Sequence, residues 1–205
     1  MNKSYLKRIA MVCVGVFFMG FAISLSVYAN LGTDPCTCMN LGVSGKLGIS
    51  LGTWQLVSNG IFLVFTLLFA RRLIGFGTIV NMVAIGYLVD FFRGVFALIL
   101  PSQPSVLIRI LIMLFSIVLL SFTAALYIYP KLGVSPYDSL AFILTERTHI
   151  HFRWCRIFCD VISVLVGFLC GSVVGVGTVI TAFCLGPLIN YFIGLVTRKF
   201  PLQFE

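Results

Sequence analysis

Residues 131–140 read KLGVSPYDSL, and they interrupt hydrophobic sequence that has run for more than twenty residues. Gly133 breaks the chain. Ser135 then has the chemistry of a helix N-cap, Pro136 that of a first helical residue, and Asp138 that of the acidic partner in a capping box. A helix is expected to begin here, with free backbone N–H groups and a carboxylate, at the end of a membrane-like segment.

Composition sets the class around that break. The chain has 205 residues, of which 60% are hydrophobic and 10% charged, with a mean hydropathy of +1.11. A soluble domain carries about 25% charged residues. The sequence is that of an integral membrane protein, long enough for roughly six spans of about 20 residues. Apolar runs mark them at 9–29, 54–70, 73–92, 106–129, 154–170 and 173–196. Trp54 and Trp154 open the second and fifth, where interfacial anchors belong. Lys3, Lys7 and Arg8 before Ile9–Ala29 give the outline of a signal peptide. The apolar run exceeds the usual core of about 7–15 residues, so a retained first helix is expected.

Shifting the chain by 101 residues makes its halves match. Phe21, Leu25 and Tyr28 fall on Phe122, Leu126 and Tyr129. Leu31-Gly32-x-x-Pro35 falls on Leu132-Gly133-x-x-Pro136. Asp34 pairs with Ser135, Thr37 with Asp138, and Asn59 with Asp160. After a one-residue slip, Gly77-Thr78 falls on Gly177-Thr178, and Gly86-Tyr-Leu-Val-Asp90-Phe-Phe92 on Gly186-Pro-Leu-Ile-Asn190-Tyr-Phe192. Agreement at glycines and polar residues argues for duplication, with repeats over about 9–97 and 106–197 of a single membrane domain, 1–205. The expected fold is all-α: about six transmembrane helices as two inverted three-helix repeats, each with a short broken or re-entrant helix.

Three spans per half is an odd number, so the halves should run in opposite directions. Charge supports this. With both termini in the cytoplasm, the inside holds Lys3, Lys7, Arg8, Arg71, Arg72, Lys131, Arg147, Arg153, Arg156, Arg198 and Lys199. The outside holds Lys46, Arg93 and Arg109, the asymmetry expected of cytoplasmic loops. Basic loops also account for the net charge of +8 without nucleic acid, since no basic patch interleaved with aromatics occurs. In the competing topology residues 35–50 and 136–148 are full spans and Arg71-Arg72 lies outside. Those segments are short and interrupted by Gly45, Lys46 and Gly48, or by Glu146 and Arg147, so they are read as short helices at the interface or dipping into the membrane.

Four of the six acids, Asp34, Asp90, Asp138 and Asp160, fall where the other half also has a polar residue. Charged groups within spans are costly and face the protein interior. Depth at about 1.5 Å per residue puts Asn59 and Asp90 near Asp34 and Thr37 in the outer half. Asp160 and Asn190 fall near Ser135 and Asp138 in the inner half. One reading is a solute or ion path with two polar gates, using the partial positive charge of the helix starts broken by Gly32, Pro35, Gly133 and Pro136. The other is structural. Asp160 follows Arg156 by four residues and Asp90 precedes Arg93 by three, spacings for simple ion pairs, and Asp34 and Asp138 can cap their own helices.

No other pattern carries chemistry. Cys36-Thr37-Cys38 is too close for an ordinary disulfide and lacks a second ligand pair for zinc. Most of the other cysteines sit in apolar runs. His149-x-His151 after Glu146 reads as a solvated loop rather than a metal site. Gly75-x-Gly77 and Gly175-x-Gly177 lack the Lys-Ser/Thr of a phosphate-binding loop, and neither HExxH nor GxSxG occurs. Neither an enzyme nor a cofactor is expected. The partners expected are the lipid bilayer, a small solute or a cation or proton, and further copies of the chain.

The two LGxxP motifs, the paired Gly-Thr and the Gly-x-Leu-x-Asp/Asn-aromatic-Phe endings resemble the YczE-like membrane proteins, which are similar to the broader YitT group. The resemblance covers about residues 8 to 196. It implies a bacterial cytoplasmic-membrane protein and supplies no site residues or settled activity. The soluble C-terminal domain often carried by YitT-type proteins is not expected in a sequence ending at Glu205. A small-solute transporter is therefore an expectation from the repeat. Its rivals are a substrate-binding subunit of an ATP-driven vitamin importer, which needs separate ATPase partners, and a non-transporting membrane scaffold or assembly factor.

Overall fold

The computed structural model describes residues 3–200, with side chains from residue 5 onward. The Lys3 side chain and Glu205 lie outside the described residues. Every regular element among those described is helical: α1 (Lys3–Ala29), α2 (Pro35–Leu47), α3 (Leu51–Phe69), α4 (Phe76–Ile99), α5 (Val106–Ile128), α6 (Pro136–Thr148), α7 (Phe152–Leu169) and α8 (Val176–Lys199). A 3-10 turn, Arg71–Leu73, joins α3 to α4. A long helix, a 13-residue helix, an intermediate helix and a second long helix thus follow one another twice.

Five helices, α1, α3, α4, α5 and α8, are long and apolar enough to cross a membrane. The fifth span of the sequence reading is α7. It has only 18 residues and carries Arg153, Arg156 and Asp160, so it does not meet the same standard. At 1.5 Å per residue, α2 and α6 reach about 20 Å, short of the roughly 30 Å of a bilayer core.

Local chemistry places the breaks. Asp34 caps α2 by accepting from the Thr37 N–H at 3.0 Å, and Ser135 caps α6 by accepting from the Asp138 N–H at 3.1 Å. Pro35 and Pro136 occupy the first turns, where a missing N–H costs no hydrogen bond. Ahead of each cap the chain turns through a left-handed residue, Asn30 or Lys131, and then a glycine with φ +98° at Gly32 or +109° at Gly133. His149 ends α6 in the left-handed region, and His151 caps α7 through Nδ1, which accepts from the Arg153 N–H.

The core is built around α1 crossing α5. Gly15 permits it: a Cβ there would stand 3.0 Å from the Tyr127 backbone nitrogen. Val12, Val16, Ala22 and Ile23 of α1 pack with Leu120 and Tyr127 of α5 and with Ile85 and Val89 of α4. α8 is the most peripheral span: 11% of its apolar window is buried inside the protein, against 50% for α1. The short helices pack across the halves, α2 on α7 and α6 on α3. Gly42 and Gly167 make the first of these contacts, and the Thr66 and Ser139 hydroxyls the second.

Two arginines, themselves 101 residues apart, fasten the central pair. Arg8 Nε donates to the Pro130 carbonyl at 2.9 Å, and Arg109 Nε donates to the Ala29 carbonyl at 2.8 Å. Each thus binds carbonyls at the C-terminal end of the other long helix. Removing Arg109 as Arg109→Ala is expected to lower stability by about 1.5–2 kcal/mol, the lower part of the range for a hydrogen bond to a charged group. Thermal unfolding in detergent reads this directly.

Candidate functional site

The start of α6 meets α7 at a partly buried charge cluster. Arg156 of α7 donates from Nη1 to Asp138 Oδ1 and from Nε to Asp160 Oδ2, the latter at 3.4 Å. The Tyr137 hydroxyl donates to Asp160 Oδ1 at 2.7 Å and lies 3.1 Å from Ser163 Oγ. The guanidinium sits 5.5 Å from the Tyr137 ring centre. From the other half, Cys36 stands within electrostatic reach of Asp138, Arg156 and Asp160, as Asp34 does of Arg156. Two carboxylates, Asp138 and Asp160, share one guanidinium, and Asp34 lies within its electrostatic reach. The α6 N-terminus adds partial positive charge beside Asp138.

Asp138 and Asp160 stand together, and Arg156, counted in the sequence among basic loop residues, is the group that joins them. Asn59 is buried on α3 beside Ser58, whose hydroxyl donates to Asn40 Oδ1 at 3.0 Å. Thr37 is buried on α2. Asp90 stays apart: Oδ2 accepts from the Gly52 N–H at 2.7 Å and Oδ1 lies 3.8 Å from Arg93. It ties α3 to α4. Asn190 is exposed on α8 and joins nothing at the cluster. Tyr137, Ser163 and Asn40 were missed by sequence reasoning. Tyr137 had a signal in its place directly after the helix-starting proline.

The two halves differ around this cluster. α3 and α4 are in close contact, since a Cβ on Gly86 would lie 2.7 Å from the Gly52 Cα. At the matching position on α8, Gly186 has open space around it. α7 and α8 diverge and leave a crevice of ≈ 370 Å³. Val164, Phe168, Ala182 and Phe183 give it apolar walls, while Asp160 and Thr178 are its polar lining residues. A smaller cavity of ≈ 210 Å³ lies between residues 26–33 and the 171–173 turn.

Basic residues also gather by contact. Arg72 pairs with Glu146, Arg147 lies 4.5 Å over the Phe69 ring, and Arg8 reaches the chain at Pro130 and Lys131. Residues assigned to the inside in the sequence thus meet at one end of the bundle.

Comparison with known proteins gives relatives without an assigned chemistry. The model of the Family of unknown function (DUF6198) matches residues 6–194. The uncharacterized membrane protein YczE of Bacillus subtilis is 27% identical over 93% of this chain and 87% of its own length. An uncharacterized protein of Haemophilus influenzae is 29% identical over 97% and 89%. The uncharacterized protein YyaS of Bacillus subtilis is 22% identical over 91% and 92%. No solved structure matches.

Proposed function

The chain belongs to the Family of unknown function (DUF6198), and from the geometry of its charge cluster we propose that it is a small-solute transporter of the bacterial cytoplasmic membrane. Six spans, α7 among them, form two inverted repeats, and both termini face the cytoplasm. The observation that carries this reading is the start of a broken helix, α6, meeting the partly buried cluster of Asp138, Arg156 and Asp160, with Asp34 and Cys36 at the α2 start within electrostatic reach from the other half. Broken helices meeting at a polar centre from two repeats are how many transporters build a substrate site. The mismatch between the tight α3–α4 contact and the open α7–α8 crevice supports the same reading, because alternating access needs related interfaces in different states.

Two acids on one guanidinium leave negative charge for a proton or a cation to balance. Coupling through Asp160 is therefore part of the proposal. Asp90 is the comparison, since its carboxylate already holds the Gly52 amide. Uptake in proteoliposomes with and without a pH gradient tests this once a transported solute is in hand. Asp160→Asn is expected to reduce gradient-driven uptake by about tenfold or more. Asp90→Asn keeps an acceptor for the Gly52 N–H and is expected to change uptake by less than about twofold. Unchanged gradient dependence in Asp160→Asn removes the coupling.

A further inference from the structure

We propose that residues 30–34 and 171–175 form a gate in its open state, whose closed form is the arrangement seen at residues 131–135 and 70–75. At the latter end the Val134 N–H donates to the Leu73 carbonyl at 3.1 Å. The Thr78 hydroxyl donates to the Val134 carbonyl at 2.8 Å and accepts from the Gly75 N–H at 3.1 Å. The Gly77 N–H donates to the Leu132 carbonyl at 2.7 Å.

The other end keeps the last of these bonds and lacks the others. The Gly177 N–H donates to the Leu31 carbonyl at 2.9 Å. Gly32 is seated on Thr178 just as Gly133 is on Thr78: in both, an added Cβ would lie 2.5 Å from the threonine Oγ1. Beyond the glycine the two ends part. Thr33 stands in the place of Val134, and no backbone bond joins it to the 171–175 turn. Thr178 is 2% exposed, and its hydroxyl has no hydrogen-bond partner among the described residues.

The missing Thr33–Val173 bond coincides with the smaller cavity, whose lining includes Ser26, Asn30, Thr33, Ser172 and Val173. Its hydroxyl and amide groups suit a polar solute, unlike the apolar walls between α7 and α8. A buried hydroxyl without a partner is unfavourable. Closure removes that cost by placing the Thr33 carbonyl on the Thr178 hydroxyl and the Thr33 N–H on the Val173 carbonyl. The inference rests on the pairing of halves in the transport proposal, but its test needs no uptake and so fails or succeeds separately.

Two cysteine pairs are compared in membrane vesicles under mild oxidation, with the seven native cysteines replaced. Leu73→Cys with Val134→Cys is expected to cross-link at once. Thr33→Cys with Val173→Cys is expected to cross-link to completion about tenfold more slowly, as the closed state is visited. Adding Thr178→Val slows the second pair severalfold and leaves the first unchanged. Equal rates for the two pairs, no cross-link in the second, or no effect of Thr178→Val would each overturn the gate. Amide exchange in the unmodified chain gives the same comparison without cysteines. The Val134 N–H should exchange at least about tenfold more slowly than the Thr33 N–H, and equal protection counts against the proposal.

Discussion

Arg156→Met is expected to lower folding stability by about 3 kcal/mol, the largest loss from any single charge in the protein. The substitution leaves Asp138 and Asp160 beside each other with no counter-charge, and it removes the ion pair between α6 and α7, leaving the Tyr137 contacts to hold them. Removing one partner of a buried pair costs about 3–5 kcal/mol. The lower end applies because the Arg156 and Asp138 side chains keep 32% and 27% exposure, against 9% for Asp160. Arg156→Lys should recover about half of the loss: it restores the charge but not the fork that reaches two carboxylates. Adding Asp160→Asn to Arg156→Met should also recover stability, since it removes one stranded charge. Thermal unfolding in detergent separates these variants. An Arg156→Met protein as stable as the parent contradicts the account of the cluster.

Gly133→Ala is expected to cost about 3 kcal/mol through backbone strain and overlap. Its φ of +109° lies where side chains are disfavoured, and the new Cβ would stand 2.6 Å from the Gly75 backbone nitrogen and 2.5 Å from Thr78 Oγ1. A backbone atom cannot swing away as a side-chain tip can, so the 131–135 turn must shift. Gly171→Ala is the control. Its φ of +88° carries the conformational cost without the overlap, because nothing lies within 4 Å of the added Cβ. About 1–2 kcal/mol is expected there. Equal losses at the two positions would mean that the close seat on α4 contributes nothing.

How far the site could be read beforehand depends on what kind of fact each residue needed. The caps at Asp34 and Ser135 were legible because capping is decided within four residues. The recurrence of a long helix, a 13-residue helix and two further helices was foreshadowed by glycines and polar groups that recur about 101 residues apart, the spacing that also separates Arg8 from Arg109. Asp90 and Asn190 were placed on the path by their pairing between the halves and by depth. Depth follows from the rise per residue, but it does not say which way a helix is turned. Asp90 faces α3, where Gly52 lets the backbones approach, while α8 stands away from α7 and leaves Asn190 outside.

From the sequence alone come the membrane class, the positions of the helix breaks and the chemistry of their caps. These rest on hydropathy and on short-range hydrogen bonding, which do not depend on distant neighbours. Only the tertiary structure decided that the helix start in KLGVSPYDSL lies against α7, that Arg156 binds both Asp138 and Asp160, and that Thr178 lacks the partner Thr78 has. Those outcomes depend on the rotation and crossing of whole helices. Close contacts at Gly15, Gly42, Gly86 and Gly167 set that geometry between residues far apart in the chain.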